Sequence, residues 1–126
     1  MKISHFRQLE VYQIAKKVGL EIFDLSKSFP VEERYGLTAQ VRDASRSVCA
    51  NLAEAWKKRR YRAAFIAKIS DSEGEYAETQ VWLDFALAHG YIKQTQFEWL
   101  DDRCEHVGAM LIKMSDDADK WTRGTK

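Results

Sequence analysis

The sequence has a single proline and two cysteines among its 126 residues, and each scarcity removes a class of protein. With one proline and no Ser/Gly-rich or low-complexity tract, nothing supports a linker, so one domain over residues 1–126 is expected. Cys49 and Cys104 stand alone without CxxC spacing, and the N-terminus MKISHFRQLEVYQIAKK lacks the apolar core and cleavage site of an export signal. Free buried thiols in a cytoplasmic protein are the expectation, rather than a disulfide or a zinc site. No run of about 18 apolar residues could span a bilayer, so no membrane partner is expected.

Catalytic constellations are equally scarce. A di-metal carboxylate bundle wants Glu-x-x-His on two helices, and none of His5, His89 and His106 follows a glutamate at that spacing. There is no glycine-rich phosphate loop and no nucleophile motif. The expectation is a protein that is not an enzyme and carries no metal or cofactor.

What the chain does have is helical periodicity. The composition, 45% apolar and 31% charged, is that of a soluble globular or coiled-coil-like protein. Val11, Ala15, Val18, Ile22, Leu25 and Phe29 recur at spacings of four and three, and Pro30 closes that first helix. Leu37, Val41, Ala44, Val48, Asn51 and Ala55 repeat the pattern in a second helix, with Leu52 and Trp56 widening the stripe. The third sets Ile66, Ile69, Glu73, Tyr76, Gln80, Leu83 and Leu87 on its seam and stops at His89-Gly90, where glycine suits a left-handed helix end. In the fourth, the repeat runs from Phe97 to Trp121, with Thr95 as the expected N-cap. Helices of this length joined by turns at 30–33, 57–61 and 90–94 must lie antiparallel, which gives an all-α, up-down-up-down four-helix bundle. The alternative, one long coiled coil, is broken by the proline and the glycine.

Charge is divided along the chain. Residues 1–70 hold 14 Lys/Arg against 7 Asp/Glu, and residues 71–126 hold 6 against 12. Either a basic and an acidic face result, suited to an anionic partner or to head-to-tail self-association, or oppositely charged helices lie side by side. The densest cluster is Lys57, Lys58, Arg59, Arg60 and Arg62, five cations within six positions at the end of the second helix. Such residues neutralise phosphates and release counterions, and Tyr61 or Trp56 offers a ring for an unpaired base. The competing reading is a solubilising helix end whose cations oppose the macrodipole. Arg42 and Arg46 either extend the patch or, for Arg42 in particular, pair with nearby acids.

Two further groups stand out. Arg42, Asn51, Glu54, Glu78 and Gln80 lie near or on the seams, where a buried polar network would fix register between helices. Phe65, Trp82 and Phe85, with Thr79 and Ala86, fall beside the expected stripe of the third helix, as Tyr12 and Phe23 do on the first. Large aromatics outside a bundle core mark protein contacts, whereas a broad core would absorb them as packing.

The segments FRQLEVY, ERYGLTAQVRDAS, ANLAEA, AETQ and HGYI, at residues 6–12, 33–45, 50–55, 77–80 and 89–92, carry a resemblance. Together they are similar to bacterial four-helix-bundle proteins known as ribosomal RNA intervening-sequence proteins. The resemblance covers nearly the whole chain and is most specific at Arg34–Leu37, Gln40 and Arg42, followed by Ala50, Asn51, Ala53 and Glu54. It implies a ring-like homopentamer, encoded in some bacteria within insertions of large-subunit ribosomal RNA genes, with a poorly defined molecular activity. A related branch, the accessory protein of diversity-generating retroelements, is a basic bundle that engages nucleic acid and a reverse transcriptase. The chain departs from the family pattern at Cys49 and Ala55, where proline and glycine are usual, so its second helix should be straighter and continue further. Ser72 and Glu73 replace a small Gly-Ser pair, and the C-terminal half is more acidic than a general nucleic-acid binder needs. The reading that follows is a self-associating, non-enzymatic bundle with structured RNA or DNA as partner at the basic turn. Its rival is a protein-interaction scaffold, and a small-ligand binder using the bundle interior stands third.

Overall fold

The computed structural model describes residues 2–122. Four long helices, α1 (Glu10–Ser26), α2 (Leu37–Lys57), α3 (Arg62–Ala88) and α4 (Gln94–Asp116), are followed by the single turn α5 (Ala118–Trp121). The described residues contain no strand. Each long helix packs on two others, α1 on α2 and α4, α3 on α2 and α4, with α2 and α3 the most extensive pair. Helices α2 and α3 run in opposite senses. Ser26 of α1 meets Arg42 of α2, and Val48 and Asn51 of α2 meet Ser72 and Lys68 of α3. Gln80 of α3 meets Asp101 and Glu105 of α4.

The core forms two adjoining clusters stacked along the bundle. Leu52, Phe65, Ile69 and Leu111 lead the one beneath the α2–α3 turn, and Ile22, Val41, Leu83 and Leu100 lead the other. Tyr76 packs against both. Gly108 makes room for it, since a Cβ there would collide with the Tyr76 ring.

Helix ends follow local chemistry. A 3-10 turn at Phe6–Gln8 leads into α1, and the Gln8 side-chain oxygen accepts from the N–H groups of Ser4 and His5 at 2.7 and 3.1 Å. Helix α1 stops at Ser26, short of the expected Phe29. There the hydroxyls of Ser26 and Ser28 donate to the carbonyls of Phe23 and Leu25, and the backbone tightens into i−3 bonds. At the start of α2 the N-cap is Gly36, and Glu33 supplies the missing acceptor: its Oε1 takes the Leu37 N–H at 3.1 Å. The Tyr91 hydroxyl donates to the other oxygen of Glu33 at 2.9 Å. Both contacts favour the carboxylate and hold its pKa below the ordinary value, the Leu37 N–H contributing more. Helix α2 runs unbroken through Cys49 and Ala55 to Lys57. At the end of α3, Gly90 adopts φ 76°, and the N–H groups of Gly90 and Tyr91 return to the carbonyls of Leu87 and Ala86, a Schellman closure.

Two helix ends differ from expectation. Helix α4 begins at Gln94 with Lys93 as N-cap rather than Thr95, because the Gln96 side chain reaches back to accept the Lys93 N–H at 2.8 Å. Its repeat does not reach Trp121 in one piece: α4 ends at Asp116, and α5 turns the indole of Trp121 edge-on to Trp56, 6.1 Å between centroids.

The seam of α3 keeps the expected Ile69 and Leu83 but elsewhere lies one residue before the expected positions. Phe65, Ile69, Ser72, Thr79, Leu83 and Ala86 are buried, whereas Glu73, Gln80 and Leu87 are only half-buried. Small hydroxyl residues can occupy this seam because their polar atoms are satisfied without water. Thr79 Oγ1 donates to the Glu75 carbonyl, and Ser72 Oγ donates across to the Val48 carbonyl of α2, both at 2.8 Å.

Candidate nucleic-acid interface

The turn between α2 and α3 is four residues, Lys58–Tyr61, and is fixed by its own backbone. The Lys58 N–H returns to the carbonyls of Glu54 and Ala55 at 3.0 Å, the Tyr61 N–H to Lys58 at 2.9 Å, and the Phe65 N–H to Tyr61 at 2.9 Å. Beneath it, buried Trp56 and Phe65 anchor both helix ends in the core. Sequence sets five cations here, and the fold divides them. The Arg59 guanidinium lies over the Trp56 ring, 3.4 Å from its centroid, and its Nε donates to the Trp56 carbonyl at 2.8 Å. Arg62 Nε donates to Asp119 Oδ1 at 2.7 Å, tying α3 to α5. Lys57, Lys58 and Arg60 are exposed and make no ion pair among the described residues. Tyr61 stands beside them, 57% exposed, whereas the other expected stacking ring, Trp56, is buried under Arg59 and unavailable. The turn therefore presents three unneutralised cations and one aromatic face on a rigid support, chemistry that suits a phosphodiester backbone.

The expected single polar network resolves into three separate ties. Arg42 finds no acid: its Nε donates to Ser26 Oγ at 2.7 Å and its guanidinium covers Phe23. Asn51 and Glu54 of α2 meet Lys68 of α3, which contacts Asn51 Oδ1 at 3.4 Å and Glu54 Oε1 at 3.1 Å. The hydrogen bond to Glu54 is the main reason the Lys68 pKa is raised. Gln80 Nε2 donates to Asp101 and Glu105 of α4 at 3.0 and 2.7 Å. Glu78 is exposed and belongs to none of these ties. The network fails as a unit because α2 contacts α3 near Lys68 while Gln80, three turns on, already faces α4.

Of the three expected interface aromatics, Phe65 is corrected outright: with no exposed surface it is a core residue. Trp82 is half-buried, and its indole Nε1 is buried without a hydrogen-bond partner among the described residues. Phe85 is half exposed, and its neighbour one turn earlier, Val81, is an exposed apolar residue that heptad spacing does not single out. Both cysteines are free, but only Cys104 is fully buried; Cys49 is half-buried. Burial pushes the thiols up to about 11 for Cys49 and about 12 for Cys104, so both stay protonated at neutral pH. No group of three or more metal-ligating side chains forms among the described residues, and none of their helices is long and apolar enough to cross a membrane.

The family model for the 23S rRNA-intervening sequence protein matches residues 7–113. The chain belongs to that family. The match takes in α1, α2, α3 and nearly all of α4, including the α2–α3 turn. This intervening-sequence protein is also similar to a crystal structure from Bacteroides thetaiotaomicron, described as a protein of unknown function from the S23 ribosomal protein family. The TM-score is 0.75 at 24% identity over 83% of this chain and 97% of the other, a likeness of fold. No curated protein matches the chain. Two of the segments that carried the resemblance, ERYGL and HGYI, meet where Tyr91 bonds Glu33, and a third, AETQ, reaches α4 through Gln80.

Proposed function

We propose that this intervening-sequence protein is a non-enzymatic, self-associating helical bundle of the cytoplasm that binds structured RNA, or another nucleic acid, through the α2–α3 turn. The observation that carries this reading is the turn itself: Lys57, Lys58 and Arg60 project unpaired beside exposed Tyr61, while Arg59 and Arg62 are spent on Trp56 and Asp119. Exposed Tyr61 beside these cations adds a stacking face that a solubilising helix end does not require. Self-association, with the ring of five that the family resemblance implies, repeats the turn and raises its effective affinity for a long polyanion.

The test is fluorescence anisotropy of labelled structured RNA and duplex DNA across a salt series, with a K57E/K58E/R60E variant beside the wild type. Arg59 and Arg62 are left intact so that the variant keeps its fold. Each phosphate that goes unneutralised lowers the slope of log affinity against log salt by about 0.7 to 0.9, so the slope should fall by roughly two to three per copy in the variant. Wild-type protein that fails to bind at low salt removes the reading. In that event the scaffold reading takes over, favoured by the exposed pair Val81 and Phe85 on α3.

A further inference from the structure

Two exposed apolar surfaces of opposite charge lie on different sides of the bundle. The first is a groove between α1 and α2, floored by Tyr12, Gly19, Leu20 and Phe23 and rimmed by Lys16 and Arg46. Leu20 is 59% exposed within it. Cations converge on its far wall. The guanidinium of Arg42 lies 4.5 Å from the Phe23 centroid, Lys27 Nζ 5.0 Å and the guanidinium of Arg46 5.6 Å. Only Lys27 has an acid, Asp24 at 3.5 Å; Arg42 is satisfied by Ser26, and Lys16 and Arg46 make no ion pair among the described residues. The ring face attracts each cation but the cations repel one another, a cost that an arriving acid relieves, and the exposed floor offers apolar area to a partner.

The second surface has the complementary character. On α3, Val81 and Phe85 stand one turn apart, 44% and 50% exposed, with Phe85 at the edge of a groove shared with Leu37 and Gln40 of α2. Glu78 and Asp84 are exposed on either side of them. The result is a helical ridge with two apolar knobs flanked by carboxylates, the pattern that helix-in-groove docking uses.

We infer that the α3 ridge of one copy docks in the α1–α2 groove of another, with Val81 and Phe85 over Leu20 and Phe23, and Glu78 and Asp84 against Lys16 and Arg46. This rests on the self-association proposed above and names its two faces. A nucleic acid in the groove would satisfy the cations but set its phosphates against Leu20 and Tyr12, whereas an acidic ridge with apolar knobs answers both features. Groove and ridge are different surfaces of one chain, so the contact is heterologous and propagates from copy to copy, closing into a ring or extending as an array. The α2–α3 turn stays outside it, because Val81 lies about 28 Å along α3 from Arg62 at 1.5 Å per residue.

Sedimentation velocity over a concentration series, with helicity checked by circular dichroism, tests the contact on three proteins. These are the wild type, K16E/R46E with the groove reversed, and E78K/D84K with the ridge reversed. All four side chains are exposed, and none makes an ion pair whose loss would unfold a copy. Each variant alone should dissociate at concentrations at least tenfold above those at which the wild type does. Mixed in equal amounts they should reassemble into species larger than a monomer, since each contact between unlike copies pairs opposite charges; a ring of five would keep one junction between like copies, so open chains or even-membered rings are expected. Variants that assemble like the wild type overturn the inference, as does a mixture of dissociated variants that fails to reassemble. A wild type that stays monomeric at every concentration overturns self-association itself, a result distinguishable from misplaced faces and without bearing on RNA binding by the turn.

Discussion

The α2–α3 seam and the four-residue turn that closes it use their residues in opposite ways. In the seam, Phe65, Ile69, Ser72 and Leu83 are sealed from water, and the Ser72 hydroxyl donates to the Val48 carbonyl. On the turn, Lys57, Lys58, Arg60 and Tyr61 are left to solvent without one another's charge being neutralised. The difference separates stability from binding: what holds the bundle together is apolar area and close packing, and what remains for a polyanion is a set of cations that the fold does not consume. Phe65 and Arg62 stand three residues apart, and a substitution at each should fall on different sides of this division.

The largest expected effect is on the seam. Phe65→Ala removes a fully buried ring between α2, α3 and the first cluster of the core. A loss of about 3 to 5 kcal/mol of unfolding free energy is expected, measured by urea denaturation. At temperatures where the variant is still folded, its affinity for RNA and its salt slope should match the wild type. A fall in slope accompanying the loss of stability would mean that the turn's presentation depends on the seam and that the two regions are not separable.

The rotation of the α3 seam marks where the sequence was legible and where it was not. Heptad spacing located every long helix, the basic turn and the glycine closure at Gly90, because those depend on local pattern. It placed Ile69 and Leu83 on the α3 seam but was one residue off elsewhere, choosing Glu73, Gln80 and Leu87 over Ser72, Thr79 and Ala86. Helix α3 is apolar on more than one side, with Val81 and Phe85 outside and Phe65 inside, so period alone does not identify the buried face. The deciding fact is non-local: Ser72 can be buried because the Val48 carbonyl of α2 lies opposite it. The same holds for the turn, where five identical-looking cations divide into bound and unbound according to where Trp56 and Asp119 happen to lie.

A smaller pair of substitutions sharpens that division within the turn. Arg62→Ala breaks an exposed ion pair with Asp119 and should cost about 0.2 to 1 kcal/mol, with the salt slope for RNA little changed. Arg60→Ala should leave unfolding within about 0.5 kcal/mol of wild type and reduce the slope by close to one. Reversal of the two outcomes would place the functional cation at Arg62 and the structural one at Arg60.

The smallest effect lies at the other end of α2, where Glu33 caps the helix beside Tyr91. The Leu37 N–H first, then the Tyr91 hydroxyl, favours the ionised carboxyl in the folded state, so its pKa is lowered from 4.5. A depressed pKa means that the folded state binds its proton less readily than the unfolded chain does. The stability it contributes is therefore complete above 4.5 and is lost as pH falls through the folded value. Glu33→Gln keeps an oxygen for Leu37 but has no charge to lose. In thermal unfolding the variant should melt slightly below wild type at neutral pH, and its midpoint should decline less steeply on acidification. Equal acid slopes in the two proteins would show that the cap acts through geometry alone. RNA binding at neutral pH should be the same in both, because Glu33 and the basic turn sit at opposite ends of a 21-residue helix.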